Sequence, residues 1–230
     1  MPPHPRPVPP GFPPSIKVVY DQLRNDMVNL SLKLSLFKDA FLTPENTEVL
    51  FRRSADAFNL IEQCVANDIS ISIARLMDKA TSGAGPDKEN LTLWYLFDLI
   101  KTHGKAPELL TTIEARYKSL ETILCSISLL RRKVIAHRDR ATALTTPLDL
   151  NLTTADILKV CDEFKGILND IEGHFEHSKM MYGFVVSYAG IPNLVKHLKR
   201  GIEAVDEDFK KELAKNFPDV VGEQPYGEVQ

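Results

Sequence analysis

Ten residues, Arg131 to Arg140, hold the side chains of this chain best suited to act on a phosphate ester. Arg131, Arg132, Lys133, Arg138 and Arg140 are cations, His137 is an imidazole, and Asp139 is the lone carboxylate among them. Guanidinium groups make charge-assisted, often bidentate bonds to phosphoryl oxygens. An imidazole, with an unperturbed pKa near neutrality, gives or takes the proton that phosphoryl transfer requires. An ordinary explanation stands beside this one. Cations gather at helix C-termini because the macrodipole favours them by fractions of a kcal/mol, and a lone His at a helix end is often a cap or surface residue.

The element that must position the tract follows from its apolar spacing. Leu110, Ile113, Tyr117, Leu120, Leu124 and Ile127 recur at intervals of three and four, which predicts one helix starting near Ala106-Pro107. Continuing the stripe reaches Arg131 and then Val134. A guanidinium on an apolar stripe needs a partner, an anion or a solvent-lined groove, because desolvating it alone is costly. On an ideal helix, residues 131 and 137 lie about 120° apart around the axis and about 9 Å apart along it. They converge only if the helix ends near Ala136 or if each comes from a different subunit.

The surrounding chain reads as helix throughout. Ser15 is an N-cap for a long helix carrying Ile16, Tyr20, Leu23, Met27, Leu30, Leu34, Phe37 and Phe41. Thr43-Pro44 closes it and opens a second helix to about Asp78, with room for a break. Its stripe is Leu50, Ala57, Ile61, Val65, Ile69, Ile73 and Leu76, and the strand-like alternation Ile69-Ser-Ile-Ser-Ile73 is kept helical. Ser82 to Pro86 is a loop, and Asn90 caps a short helix, Leu91–Thr102, ended by Gly104. Thr153 or Thr154 caps a helix with Ile157, Cys161, Phe164, Leu168, Ile171 and Phe175. One more short helix fits between Ile191 and Phe217. The expected fold is all-α, a bundle of about five long or medium antiparallel helices over residues 15–182. A disordered arm, residues 1–14 with eight prolines, precedes it. A helical extension at 183–217 and a flexible tail at 218–230 follow.

The segment Arg131-Arg-Lys-Val-Ile-Ala-His137-Arg-Asp139 resembles the signature of HEPN domains, an Arg followed by four to six residues and then His. It is most similar to the AbiU-type, abortive-infection branch, with its R-N-K-x-x-A-H-x-D pattern. Arg75-Leu76-Met77-Asp78 resembles that branch's R-L-x-D element at the end of the preceding long helix. The likeness covers roughly Ser15 to Glu176. It implies a HEPN-like helical bundle that forms a homodimer with the Arg-His motifs facing a shared cleft, and metal-independent endoribonuclease activity in active members. By position Arg131 matches the motif Arg and His137 the motif His, with Lys133, Ala136 and Asp139 at flanking positions. Arg132 departs from the pattern, standing where the family usually has Asn. The resemblance adds that Asp78 helps order the neighbouring helix against the motif.

Three functions remain open on these grounds. In an RNase, His137 is general base or acid on the ribose 2′-OH or the leaving 5′-oxygen, Arg131 with Arg132 or Lys133 stabilises phosphoryl charge, and Asp139 orients the imidazole. RNA is then the substrate, and a toxin role brings a cognate antitoxin protein as partner. In a non-catalytic RNA-binding or antitoxin-like bundle, the tract including Arg138 and Arg140 contacts phosphates and His137 is incidental. In a dimeric scaffold, the apolar stripes do the work.

Other features favour plainer readings. Glu172, His174, Glu176 and His177 read as a solvated polar face rather than a metal site, since no second ligand motif accompanies them. Arg75 and Asp78 suit a local ion pair. Lys196 to Arg200, followed by acidic residues, is a solvated helix face. Trp94 and Tyr95 read as core, and Cys64, Cys125 and Cys161 as three buried hydrophobes in a reducing cytoplasm. A formal charge of -3 excludes a globally basic nucleic-acid binder but not a local patch. No signal peptide, membrane span, phosphate-binding glycine loop or zinc-protease motif is expected, and no cofactor or metal.

Overall fold

A computed structural model describes residues 10–81, 89–104, 106–135, 151–182 and 190–216, apart from the side chain of Arg53. The fold is all-α. Among the described residues the only β pairing is an isolated bridge between Thr81 and Glu89. The helices are α1 (Pro14–Phe41), α2 (Pro44–Met77), α3 (Leu93–His103), α4 (Pro107–Lys118), α5 (Glu121–Leu130), α6 (Thr154–Glu176) and α7 (Ile191–Asn216). They divide into two compact units. One holds the described residues up to Ser35 and from Gln63 to Tyr182, and the other holds Leu36–Glu62 with the described residues from Gly190.

In the first unit α6 is the central helix, packed against α4 and α5. Its entry is fixed by a capping box: the Thr153 hydroxyl accepts from the Asp156 N–H while the Asp156 carboxylate accepts from the Thr153 N–H. The predicted stripe is buried from Cys161 through Phe164, Leu168 and Ile171 to Phe175, and Val160 and Ile167 widen it. Helix α1 runs antiparallel to α6. Lys17 pairs with Glu176 at 3.2 Å, and Tyr20, one turn on, donates to Glu172 at 3.1 Å, one turn back. Arg116 of α4 reaches Glu163 and Asp170 of α6, at 2.8 Å each, across the side-chain-free face of Gly166.

Several boundaries differ from expectation. Helix α1 begins at Pro14, so Ser15 lies in its first turn. The chain is also placed before it, since the Gly11 N–H donates to the Phe175 carbonyl at 3.0 Å and Phe12 stacks between Tyr20 and Phe175. Residues 1–9 of the expected arm lie outside the described residues. Thr92, not Asn90, caps α3, its hydroxyl accepting from the Tyr95 N–H, and Gly104 ends the helix in the left-handed region as expected. Asn90 instead bonds back to the Ala80 and Lys79 carbonyls, which ties the far side of the expected Ser82–Pro86 loop, itself outside the described residues, to the end of α2. The single helix expected from 106 to 134 is two, because the chain turns at Ser119-Leu120. The stripe runs through the turn unbroken, with Leu120 fully buried. Glu172 is not solvated: it is 6% exposed and accepts from Tyr20 and Ser178. Of the cysteines only Cys161 is buried, while Cys64 and Cys125 are exposed.

The second unit is built from the end of α1, the start of α2 and all of α7. Ala40, Phe41, Leu50 and Val195 are buried together, with Phe37, Phe58, Ile191 and Leu198 packed around them. The break allowed for in α2 falls at Ser54, with φ -147 and ψ 41. The expected short C-terminal helix is a full 26 residues, and its basic run from Lys196 to Arg200 is solvated except at Leu198. No helix among the described residues is long and apolar enough to cross a membrane.

Candidate functional site

The end of α5 carries the first half of the motif. At Arg131 the helix widens from α to π geometry, and Arg131–Ile135 form a single π-type turn. Such turns are uncommon and recur where a side chain must be re-aimed for function. The ideal 100° step per residue assumed in separating positions 131 and 137 does not hold over Arg131–Ile135.

Arg131 finds the partner its position demands. Its Nη1 lies 2.6 Å from Asp78 Oδ2, with the two side chains 31% and 40% exposed. The expected local pair between Arg75 and Asp78 is therefore not formed: Arg75 is exposed, and Asp78, just past the end of α2, turns to Arg131 instead. Helix α2 is held there from beneath, because the Tyr117 hydroxyl donates to the Met77 carbonyl at 3.2 Å. Burial pushes the Tyr117 phenol up to about 12; a hydrogen bond with Trp94 opposes the shift and the Asp78 charge adds to it. The phenol is thus a neutral donor at physiological pH.

The ion pair stands in the wall of an open cavity of about 650 Å³. Arg132 lines the same cavity and is exposed, its Nε directed to the Ser128 carbonyl at 3.4 Å. Lys79, Asn90, Trp94, Tyr117 and Cys125 also line it. Lys133 is part-buried on the π-type turn and is not in the lining. His137, Arg138, Asp139 and Arg140 lie outside the described residues. The structure thus brings together Arg131, Arg132 and Asp78 of the expected site. No cluster of three or more His, Cys, Asp or Glu suited to a metal occurs among the described residues.

Sequence reasoning missed Trp94, which is 36% exposed rather than core. The buried stripe of α3 is Leu93, Leu96, Phe97 and Ile100. An aromatic beside that stripe, not on it, was the available signal.

An all-α chain with its motif arginine tied to the carboxylate of the earlier R-L-x-D element defines a helical protein of HEPN type. The chain belongs to the AbiU2 family of HEPN proteins, whose family model matches residues 14–190. The match ends just before α7. No curated protein and no solved structure matches the chain.

Proposed function

We propose that this abortive-infection family member is a metal-independent endoribonuclease acting in phage defence or a toxin–antitoxin system. The observation that carries the reading is the Arg131–Asp78 pair. It joins the two sequence elements of the family at a cavity wall and leaves a second guanidinium, Arg132, exposed beside it. In this reading His137 takes the proton of a ribose 2′-OH, the 2′-oxygen attacks the adjacent phosphorus, and the bond to the 5′-oxygen breaks with a proton returned to it. Arg131, oriented by Asp78, and Arg132 with Lys133 meet the charge that grows on the phosphoryl oxygens. Asp139 orients the imidazole, and Arg138 and Arg140 hold flanking phosphates. The products carry 2′,3′-cyclic phosphate and 5′-hydroxyl ends. A homodimer supplies the shared cleft, and an antitoxin protein is the partner in the toxin setting.

The test is cleavage of total RNA and tRNA by the purified protein in EDTA, beside its His137→Ala variant. Cleavage with cyclic-phosphate ends that the variant lacks supports the reading. Arg132, in place of the usual Asn, favours a second reading, an RNA-binding bundle that does not cut. RNA bound by both proteins and cut by neither would establish that one.

A further inference from the structure

Trp94 is the only tryptophan in the chain. Over a third of its surface is open although it sits among core aromatics. The ring is nevertheless held. It stands edge-to-face with Tyr117 at 4.8 Å and 62°, and with Phe97 at 5.5 Å and 73°. Trp94 lines the same cavity as Arg131 and Arg132. A fixed aromatic surface beside guanidinium groups is the combination by which single-stranded nucleic acids are held, bases on rings and phosphates on cations. The volume of about 650 Å³ falls within the usual range of small-ligand sites, which leaves room for a nucleotide.

We propose that Trp94 is a stacking platform for one unpaired base of a single-stranded RNA whose phosphates lie on Arg131 and Arg132. This rests on the RNA-directed reading above and adds to it a substrate class: RNA that presents an unpaired base next to the phosphates held there. Stacking is tolerant of base identity, so the platform selects single strands over duplex more than one sequence over another. It touches no reacting atom. Its loss weakens binding and leaves the chemistry of bound RNA intact.

The lone indole makes the test direct, because emission excited at the red edge, where the six tyrosines do not absorb, reports this position alone. Two probes share one backbone: a 2′-O-methyl decanucleotide, which cannot be cut through its 2′-oxygen, and its abasic counterpart. Binding is read by anisotropy of an end label and stacking by Trp94 emission with unlabelled probe. The expected result is quenching by the base-bearing probe and little by the abasic one. Trp94→Ala should weaken the base-bearing probe about tenfold and the abasic probe hardly at all, with Trp94→Phe in between. Equal binding of both probes without quenching overturns the platform and leaves RNA recognition standing. Binding of neither probe overturns both. Should Trp94→Ala fail to fold, the wild-type emission and the Trp94→Phe variant still decide the matter.

Discussion

Arg131 occupies a place that the apolar repeat of its helix would give to an apolar residue, and its partial burial is tolerable because Asp78 meets it at 2.6 Å. That Arg131 needed a partner, an anion or a solvent-lined groove was legible in the sequence; the resemblance gave Asp78 only the ordering of the neighbouring helix, so the pairing itself is new from the structure, and the local alternative with Arg75 failed. A pair this exposed contributes modestly to stability. A double-mutant cycle of Arg131→Ala and Asp78→Ala in urea unfolding should give a coupling of about 0.2–1 kcal/mol. On the proposed RNase reading, the effect on RNA cleavage should be far larger. Arg131→Ala should lower kcat/KM about 100-fold or more, and Asp78→Ala by a similar factor through misplacement of the guanidinium. Equal losses of stability and of activity in free-energy terms would demote the pair to a structural tie. Trp94 shows the opposite case. Its residue type suggested core, while its place beside the buried stripe of α3, not on it, was the signal that part of it is left uncovered.

Helix existence was readable wherever apolar spacing was regular, and helix ends were not. The stripe from Leu110 to Ile127 passes through the Ser119-Leu120 turn without a fault, so nothing in the pattern separates α4 from α5. The π-type turn at Arg131 is likewise invisible to a pattern that assumes a fixed period. At the start of α6 the residue type narrowed the cap to Thr153 or Thr154, and the structure places it at Thr153, where the Asp156 carboxylate three residues on completes a capping box. Thr153→Ala should cost about 1 kcal/mol in urea unfolding, and Thr153→Ser little. Thr153's side-chain and backbone bonds hold the Asp156 carboxyl below the usual carboxylate range. A depressed carboxylate stabilises above its unfolded pKa, so this contribution is present at neutral pH and fades as pH falls through the folded value. Helix α7 was expected only as a short helix somewhere between Ile191 and Phe217, and it runs 26 residues straight through Gly201. Nothing lies within 4 Å of a Cβ built at Gly201, so Gly201→Ala should raise stability by about 0.5–1 kcal/mol. Gly166→Ala should gain less, since its Cβ would come 3.2 Å from Arg116 Nη1 and disturb the pairs with Glu163 and Asp170.

Across the molecule, the two units respond to different insults. The first buries Tyr20, Tyr117 and Tyr182, and burial raises all three phenols, the last two to about 12. The folded state keeps these protons where an unfolded tyrosine loses them near pH 10. Stability is therefore full below about pH 10 and falls between there and about pH 12, which a series of urea midpoints would trace. Tyr20→Phe should remove part of that slope, at the cost of the hydrogen bond to Glu172. The second unit depends on α7, whose Val195, Ile191 and Leu198 cover Phe41 and Leu50. Ending the chain at Gly190 should leave that apolar surface open, raising dye binding and aggregation on heating. During synthesis every chain passes through just that state. Residues 36–62 leave the ribosome about 130 residues ahead of α7, and at about 5–20 residues per second their phenylalanines stay uncovered for roughly 6 to 25 s. Over that interval the nascent chain should bind hydrophobe-binding chaperones, and slowing translation between residues 62 and 191 should lower its soluble yield.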